Sequence, residues 1–198
     1  MPPEQILLPL VLTAVFDPPT RDWLETLRRT HFPPERNQVP AHLTLFHALP
    51  GSESSEIQRE LEAECMACDR CAASFLSWRF TGHGVAREVA SPSLFELRSR
   101  LAERWKDRLT LQDRKPWRPH VTVQNKVPPD EARALYVQLS GAKDPVHATV
   151  SGLILWRYLG GPWEMLRSFA FESHTSGPDG FGQPIGQAGR ATSGRNRH

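Results

Sequence analysis

Two short stretches carry the main signal for the fold of this chain: Ala41-His42-Leu43-Thr44-Leu45 and Pro119-His120-Val121-Thr122-Val123. Each contains a histidine and a threonine two residues apart, with apolar residues between and after them. Side chains alternate between the two faces of a β-strand, so a strand places the histidine and the threonine on the same face. We therefore predict two strands that each present a proton carrier and a hydroxyl on one side.

The charge of the chain is distributed unevenly along its length. The 198 residues carry a formal net charge of +2, and a few residues after Glu172 account for all of it: Arg190, Arg195, Arg197 and Asp179. The rest of the chain is neutral. A protein that holds a long nucleic acid by its phosphates usually has a clear excess of Lys and Arg in the binding domain. We expect a local phosphate site and no binding to a long duplex.

Hydrophobic periodicity and turn residues predict alternating strands and helices. The predicted strands are Ile6 to Phe16, His42 to Leu49, Ser74 to Thr81, Val85 to Ala90, His120 to Val127, Val146 to Tyr158 and Trp163 to Phe171. The predicted helices run from Thr20 to about Thr30, from Ser52 or Ser54 to about Cys71, from Pro92 to about Leu109, and from Asp130 to Leu139. The turn Asp17-Pro18-Pro19-Thr20 is expected to cap the first helix, and Ser52 or Ser54 is expected to cap the second.

The order of these elements repeats, and His120 follows His42 by 78 positions in the corresponding strand. We infer an internal duplication and predict an α+β fold with two pseudo-duplicated lobes. Each lobe is an antiparallel sheet with helices on its outer face, and the lobes face each other across a central cleft. A third copy of the spacing, His147-Ala148-Thr149-Val150, opens the last hairpin. His42 and His120 form the preferred pair because each follows a proline-bearing loop and precedes a helix-forming segment; a pair that includes His147 is the alternative.

The duplicated domain is expected to span residues 1–172. Residues 173–198 hold 6 of the 13 glycines and almost no large apolar residues, so we predict a disordered tail that contains Gly and Arg. The apolar stretch from Ile6 to Phe16 contains Pro9 and has no basic start region. It is too short for a membrane span and poor as a signal peptide. We expect a cytoplasmic monomer that does not bind a membrane.

The cysteines are Cys65, Cys68 and Cys71, spaced so that a helix would place them along one side. An odd count at this spacing argues against a disulfide framework. We expect buried thiols on a helix face. Metal ligation is the less favoured alternative, because no histidine lies close by in the sequence.

With these motifs and this order of elements, the chain resembles the 2H phosphoesterase superfamily, which includes the 2′-5′ RNA ligase-like proteins and the cyclic nucleotide phosphodiesterases. The matching text is His42-Leu43-Thr44-Leu45 and Trp117-Arg118-Pro119-His120-Val121-Thr122-Val123. The resemblance covers Ile6 to Phe171. It implies that one motif from each lobe faces the other across a cleft and that the pair acts on RNA-type phosphodiesters. It also implies that His147 lies on an ordinary structural strand.

The residue types suit this chemistry. Opening a 2′,3′-cyclic phosphate requires one group to take a proton from the attacking water and another to give a proton to the leaving ribose oxygen. His42 and His120 are the predicted carriers, because histidine does either near neutral pH. The hydroxyls of Thr44 and Thr122 are predicted to donate hydrogen bonds to non-bridging phosphate oxygens. We expect no metal and no other cofactor.

Four further residues are candidates for substrate binding. Phe46 and Gln124 continue the inward faces of the motif strands, where they either touch ligand or pack within a lobe. Trp117 and Arg118 precede the second motif on a loop. In one interpretation the indole stacks on a base and the guanidinium pairs with phosphate. In the other, Trp117 covers the edge of the core and Arg118 is solvated. The histidines expected to have only structural or surface roles are His31, His47, His83, His174 and His198.

The favoured function is a metal-independent phosphodiesterase that hydrolyses a 2′,3′-cyclic phosphate or a 2′-5′ linkage of a nucleotide or RNA end. One alternative is a nucleotide-binding or RNA-binding module of the same fold without turnover. Another is 2′-5′ RNA end joining by the reverse reaction. A metal hydrolase that uses His42 and His120 is least favoured, since neither motif contains a carboxylate as a third ligand.

Overall fold

The computed structural model describes residues 8–142 and 147–172. Within these residues the chain forms seven β-strands and four α-helices in the order β1-α1-β2-α2-β3-β4-α3-β5-α4-β6-β7. The strands are β1 (Leu10–Phe16), β2 (Leu43–Leu49), β3 (Cys71–Phe80), β4 (Val85–Ala90), β5 (His120–Gln124), β6 (His147–Tyr158) and β7 (Trp163–Ala170). The helices are α1 (Pro18–His31), α2 (Ser54–Met66), α3 (Pro92–Arg104) and α4 (Pro129–Ser140).

The predicted order of elements is confirmed, and the differences lie at their ends. Asp17 caps α1 as predicted, because its carboxylate accepts a hydrogen bond of 3.0 Å from the backbone N–H of Thr20. The predicted serine cap of α2 is wrong: a short 3₁₀ turn, Gly51–Glu53, leads directly into the helix. β2 begins at Leu43, so His42 lies one residue before the strand.

The strands form one continuous antiparallel sheet. Its order is β1-β2-β5-β4-β3-β6-β7, and β1 also pairs with β6. The first six strands in this order therefore close a ring, and β7 is attached to β6. The predicted α+β fold with antiparallel strands and helices is confirmed. The halves are not two separate sheets, because β2 pairs with β5 and β3 pairs with β6 across the boundary between them.

The ring has the symmetry that an internal duplication predicts. When β1, β2 and β3 are matched with β4, β5 and β6, the β1–β2 pairing corresponds to β4–β5, and β3–β4 corresponds to β6–β1. The β2–β5 and β3–β6 pairings each correspond to themselves. Within β2–β5, Leu43 is directly paired with Val121. These are the central residues of the two motifs, so the motifs meet at the pseudo-two-fold axis.

The helices cover the outside of the ring and cross between the halves. Helix α1 packs on β5, α2 on β6 and β7, and α4 on β3 and β4. Helix α3 is followed by Trp105, whose ring packs edge-on against Phe46 of β2 at 5.2 Å between centroids. The apolar residues of both motifs are buried under this helical layer. The histidine face of β2 and β5 points away from the helices, and His42 and His120 are partly buried there.

Each motif strand carries a β-bulge directly after its threonine. On β2 the bulge consists of Leu45 and Phe46, and on β5 it consists of Val123 and Gln124. The pairs that define the two bulges are Thr13 with Thr44, Leu12 with Phe46, Ala86 with Thr122 and Val85 with Gln124. One residue of the neighbouring strand is thus opposed by two of the motif strand. A shift by one residue exchanges the faces of the residues directly after the bulge. On β2 the register shifts again between Phe46 and Leu49.

The three cysteines do not share a helix face, which corrects the prediction. Only Cys65 lies on α2, since this helix ends at Met66; Cys68 follows in a turn, and Cys71 begins β3. All three thiols are free. Burial raises the pKa of Cys65 to about 12 and that of Cys71 to about 11.

Some predictions fall outside the described residues: the tail 173–198 and the first residues of the first predicted strand. In residues 8–142 and 147–172, no helix is long and apolar enough to cross a membrane.

Candidate active site

The two His-x-Thr motifs lie side by side on the open face of the sheet. Because Leu43 and Val121 are directly paired in an antiparallel ladder, the histidine of each motif lies opposite the threonine of the other. Residues that are directly opposite project from the same face, with Cβ atoms roughly 4.5–5.5 Å apart. The four polar side chains of the motifs therefore form one cluster.

Both imidazole rings are oriented in the same way. Nδ1 of His42 lies 2.7 Å from the carbonyl oxygen of Pro40, and Nδ1 of His120 lies 2.7 Å from that of Arg118. A carbonyl oxygen only accepts, so Nδ1 carries the hydrogen in each ring. In the neutral form Nε2 is then the free acceptor. Each motif thus presents a nitrogen that is ready to take a proton.

The threonines are fixed through their backbone. The carbonyl oxygen of Thr44 accepts a hydrogen bond of 2.9 Å from Nε1 of Trp117, and that of Thr122 accepts one of 2.9 Å from Nη1 of Arg28. Neither hydroxyl has a hydrogen-bond partner within the described part of the chain. Both hydroxyls are available to donate to a ligand.

The surroundings lower the pKa of both histidines. For His42 the pKa falls to about 4, chiefly because the ring is buried, with a smaller contribution from the positive charge of Arg28. For His120 burial is again the largest cause of the lowered pKa; the charge of Arg79 lowers it further, and Glu88 opposes the shift. Both rings are therefore neutral at pH 7 in the free protein.

Aromatic side chains surround His42. The ring of Trp163 lies 4.6 Å from the imidazole, centroid to centroid, and the ring of Trp156 lies 6.0 Å from Trp163. Nε1 of Trp156 donates a hydrogen bond of 2.8 Å to the hydroxyl of Thr13. Beside His42 is a small cavity of about 110 Å³ whose walls include Val15 and Trp156. This side of the site is mainly apolar.

Positive side chains surround His120. A cavity of about 270 Å³ opens beside this ring and beside Thr44. The charged and imidazole side chains that line it are His47, Arg79, Arg98, Asp113, Lys115, Arg118 and His120 itself. Four of them are positively charged and one is a carboxylate. This side of the site is suited to anions.

Asp113 attaches the loop before β5 to the bulged strand β2. Its buried carboxylate accepts hydrogen bonds from the backbone N–H groups of His47 and Ala48, at 2.9 and 3.0 Å, and from Nδ1 of His47 at 3.0 Å. Burial alone would raise the pKa of Asp113, but these hydrogen bonds lower it below its ordinary value. The loop that carries Trp117 and Arg118 is thereby held against the site.

The structure separates the four candidates for substrate binding. Trp117 and Arg118 line the cavity beside His120. Phe46 does not reach it: the side chain is fully buried against Trp105. Gln124 is only 3% exposed and donates to Glu131 of α4. Of the two alternatives for these residues the structure shows packing, which removes both from the candidates for substrate binding; the bulge is the reason, since it turns both toward the helices.

Sequence reasoning missed His47, Arg79 and Trp163. His47 was assigned a purely structural or surface role, but the bulge that buries Phe46 turns His47 into the cavity. Arg79 comes from β3, which is not paired with either motif strand in the sheet. Trp163 follows the last hairpin turn, and its approach to His42 depends on the ring closure between β1 and β6. A pattern within one strand contains no signal for these contacts.

The third copy of the spacing lies elsewhere in the ring. His147 is exposed at the start of β6, where it is paired with Ser74 of β3. The backbone N–H of Thr149 donates to the carboxylate of Asp17 at the start of α1. The structure therefore brings together the motifs of His42 and His120 and assigns the third copy to the packing of α1.

Comparisons with known proteins agree with this fold. The family described as the 2'-5' RNA ligase superfamily matches residues 16–162. Among solved structures, TT0787 of Thermus thermophilus matches with a TM-score of 0.61 and 16% identity, over 84% of this chain and 100% of that one. E. coli LigT complexed with 3'-AMP matches with a TM-score of 0.55 and 17% identity, over 83% and 98%. No curated protein matches the sequence.

Proposed function

The chain belongs to the 2'-5' RNA ligase superfamily, and on this basis we propose that it is a metal-independent phosphodiesterase. Its substrates are a 2′,3′-cyclic phosphate or a 2′-5′ phosphodiester bond of a nucleotide or RNA end. The observation that carries the proposal is the direct pairing of Leu43 with Val121. This pairing supports the proposal because directly opposed residues of the two motifs share one face of the sheet, so that two imidazoles and two hydroxyls are close enough to contact one phosphate.

The reaction requires two proton transfers. Nε2 of one histidine takes a proton from water as its oxygen attacks phosphorus. Nε2 of the other histidine gives a proton to the ribose oxygen as its bond to phosphorus breaks. The hydroxyls of Thr44 and Thr122 donate to the non-bridging oxygens, where negative charge grows. After one turnover the two histidines have exchanged protonation states, and exchange with water restores them.

A nucleotide substrate agrees with what is known of a structural neighbour. The LigT structures were obtained with 3'-AMP and with NADP+, so a protein of this fold holds nucleotides. In our protein, the aromatic side of the site near His42 offers flat surfaces for a base. The cationic side near His120 offers partners for phosphate.

The test is the hydrolysis of adenosine 2′,3′-cyclic phosphate in the presence of EDTA. We expect turnover by the unmodified protein and a loss of about 10²- to 10⁴-fold in both His42→Ala and His120→Ala, the range for a missing acid–base group. His147→Ala is the matched control, because it removes the histidine of the third copy, and its activity stays unchanged. Activity that survives both site substitutions contradicts the proposal. So does binding of the nucleotide by calorimetry without any product.

The pH dependence provides a second check. A mechanism with one neutral and one protonated imidazole gives a bell-shaped profile of kcat/KM, with its maximum between the two pKa values of the free protein. Since the pKa of His42 is about 4 and that of His120 is lowered from 6.5, the maximum is expected below pH 6.5. Activity that rises steadily from pH 6 to pH 9 contradicts this assignment.

A further inference from the structure

The cavity beside His120 contains another imidazole, that of His47, which the proposed mechanism does not use. We propose that His47 is a third histidine of the reaction centre: it takes up a proton at Nε2 and donates a hydrogen bond from there to a non-bridging oxygen of the reacting phosphate. This inference rests on the proposed function and adds a residue to its site. Two imidazoles then transfer protons, and the third binds negative charge.

Two register shifts of β2 place His47 next to the motif side chains. The two residues before it, Leu45 and Phe46, are fully buried, and the second shift follows directly after them. The side chain of His47 is 42% exposed, and it lines the same cavity as Thr44 and His120. A ligand in this cavity is therefore within reach of one hydroxyl and two imidazoles.

A buried carboxylate fixes the orientation of the His47 ring. Nδ1 of His47 lies 3.0 Å from Oδ1 of Asp113, whose side chain is 1% exposed. Burial alone would raise the pKa of Asp113, but its hydrogen bonds lower it, so the carboxylate is ionised and Nδ1 carries the hydrogen. Nε2 of His47 has no hydrogen-bond partner within residues 8–142 and 147–172. It is the nitrogen that is left for a ligand.

The carboxylate distinguishes His47 from the two motif histidines. In His42 and His120, Nδ1 donates to a backbone carbonyl oxygen, which carries no net charge. A carboxylate at Nδ1 holds the ring in one tautomer and stabilises the imidazolium that forms when Nε2 takes up a proton. The surroundings of His47 thus suit an imidazole that binds an anion, whereas those of His42 and His120 suit imidazoles that exchange protons.

Other charged and titratable groups face the same cavity. They are Arg79 of β3, Arg98 of α3, Asp113, Lys115 and Arg118 of the connection between α3 and β5, and His120 of β5. Four cations oppose a further positive charge on His47, and one carboxylate favours it. A bound phosphate changes this balance because its negative charge favours the protonated ring. Proton uptake by His47 is therefore coupled to the binding of an anion.

The charge of protonated His47 acts on both motif histidines. Burial is the largest cause of the lowered pKa of His42 and of His120, and the charge of His47 makes a smaller contribution to each. The interaction between two charges weakens with distance. An influence on both rings therefore agrees with a position of His47 near the phosphate that the two rings are proposed to contact.

The internal duplication does not account for this third imidazole. The offset of 78 residues that relates the two motifs relates His47 to Asn125. Asn125 follows the end of β5 and is exposed, and its side-chain oxygen accepts a hydrogen bond of 2.8 Å from the backbone N–H of Lys126. An imidazole at this position follows only the first motif, where it borders the cationic cavity.

The test uses the binding of sulfate, a tetrahedral anion whose charge is constant between pH 6 and pH 8, measured by calorimetry. His47→Asn retains a donor near the position of Nδ1, so Asp113 keeps its hydrogen bond, but the variant lacks Nε2. At pH 6 we expect it to bind sulfate about tenfold or more weakly than the unmodified protein, as for the loss of one charge-assisted hydrogen bond. Equal affinities overturn the proposal, because a purely structural His47 is replaced by Asn without loss. Absence of sulfate binding by the unmodified protein overturns it as well.

The dependence on pH tests the proton uptake. A ligand whose binding adds one proton binds up to about tenfold more weakly for each unit by which the pH rises. His47→Gln retains a donor near the position of Nε2 but does not titrate. Between pH 6 and pH 8 the sulfate affinity of the unmodified protein is expected to fall more steeply than that of His47→Gln. Proton uptake by His42 and His120 contributes in both proteins, so equal slopes would show that His47 takes up no proton and would overturn the proposal.

Hydrolysis of adenosine 2′,3′-cyclic phosphate separates this inference from the proposed function. We expect kcat/KM to fall by about tenfold or more in His47→Asn and to recover in part in His47→Gln. His83→Gln is the matched control: Nδ1 of this exposed histidine lies 3.1 Å from the carbonyl oxygen of Val127, outside the cavity, and both sulfate affinity and kcat/KM stay unchanged. If the unmodified protein does not hydrolyse the substrate, the proposed function fails, and the sulfate comparison still decides whether His47 binds an anion.

Discussion

The two motifs have the same backbone geometry and opposite surroundings. Each histidine donates from Nδ1 to a carbonyl oxygen two residues earlier, at the same distance of 2.7 Å. Each threonine is followed by a bulge and has its carbonyl oxygen held by a side chain of a distant element. Around His42, however, lie the rings of Trp156 and Trp163, whereas Arg79 and Arg118 lie near His120.

This difference corresponds to two separate requirements of the proposed phosphodiesterase activity. Acid–base chemistry on one phosphate needs two equivalent proton carriers, and a duplicated fold supplies them by symmetry. A nucleotide is not symmetric, because it has a flat base on one side of the reacting phosphate and further phosphates on the other. The surroundings of the two motifs differ in a corresponding way: those of His42 are aromatic, and those of His120 are cationic. Under the proposed function, the shared backbone serves the reaction, and the differing neighbours serve the substrate.

The largest expected effects test the symmetric part. Thr44→Val and Thr122→Val keep the size and β-branching of the side chain but remove the hydroxyl. Each is expected to lower kcat by about 10²- to 10³-fold, as for the loss of one donor to a developing oxyanion. The measurement is steady-state hydrolysis of adenosine 2′,3′-cyclic phosphate. Thr149→Val, in the third copy of the spacing, is the matched control without effect on kcat. A large loss for only one of the two site variants would contradict the proposed equivalence of the motifs.

The sequence predicts the symmetric part of the molecule well. Strand alternation places His42 with Thr44 and His120 with Thr122, and the 78-residue offset places both motifs on corresponding strands. The element order agrees along the described residues because each helix and strand has its own local pattern of apolar residues. These features are properties of short segments, so a short segment is enough to predict them.

The parts that the sequence does not predict are those that depend on a neighbouring strand. A bulge is defined by two residues that oppose one on the partner, as Leu45 and Phe46 oppose Leu12. Alternation alone therefore placed Phe46 on the wrong face and left His47 among the histidines with only a structural or surface role. Asp113 is another example, since it binds the backbone N–H groups of His47 and Ala48, where β2 shifts register against β1 a second time.

The second prediction concerns Asp113, which holds the loop before β5 against β2 beside the cationic cavity. Asp113→Ala leaves the buried N–H groups of His47 and Ala48 without an acceptor. The free energy of unfolding is expected to fall by about 1–3 kcal/mol, measured by urea denaturation. Asp107→Ala is the matched control, because this aspartate is exposed on the same connection between α3 and β5. Equal stability of the two variants would show that the loop is not held by this carboxylate.

The third prediction concerns the aromatic side. Trp163→Ala removes the ring that packs on His42 at 4.6 Å. Burial is the main cause of the lowered pKa of His42, so admission of water is expected to raise this pKa from about 4 toward 6.5. Titration of the imidazole proton resonances by NMR measures the change. Trp163→Phe retains an aromatic ring and keeps the pKa low. A pKa of His42 that is the same in all three proteins would contradict burial by β7 as the cause.

The last prediction makes the reciprocal change beside His120. Glu88 is directly paired with His120 on β4, and its carboxylate also lies 3.8 Å from Nη1 of Arg79. After burial, which lowers the pKa of His120, the charges of Arg79 and Glu88 act in opposite directions. Glu88→Gln removes the negative charge and leaves that of Arg79 uncompensated, so the pKa of His120 falls further.

The sign of this effect distinguishes the two halves. In Trp163→Ala the pKa of His42 rises because the ring regains water, whereas in Glu88→Gln the pKa of His120 falls because the protonated ring loses a counter-charge. One pKa unit corresponds to about 1.4 kcal/mol, and screening by solvent keeps the shift caused by a half-exposed carboxylate below that. The NMR titration is expected to show a small decrease for His120 and none for His42. Parallel shifts of both histidines in either variant would mean that the two protons titrate as one coupled pair, and the aromatic and cationic sides would then no longer act on separate groups.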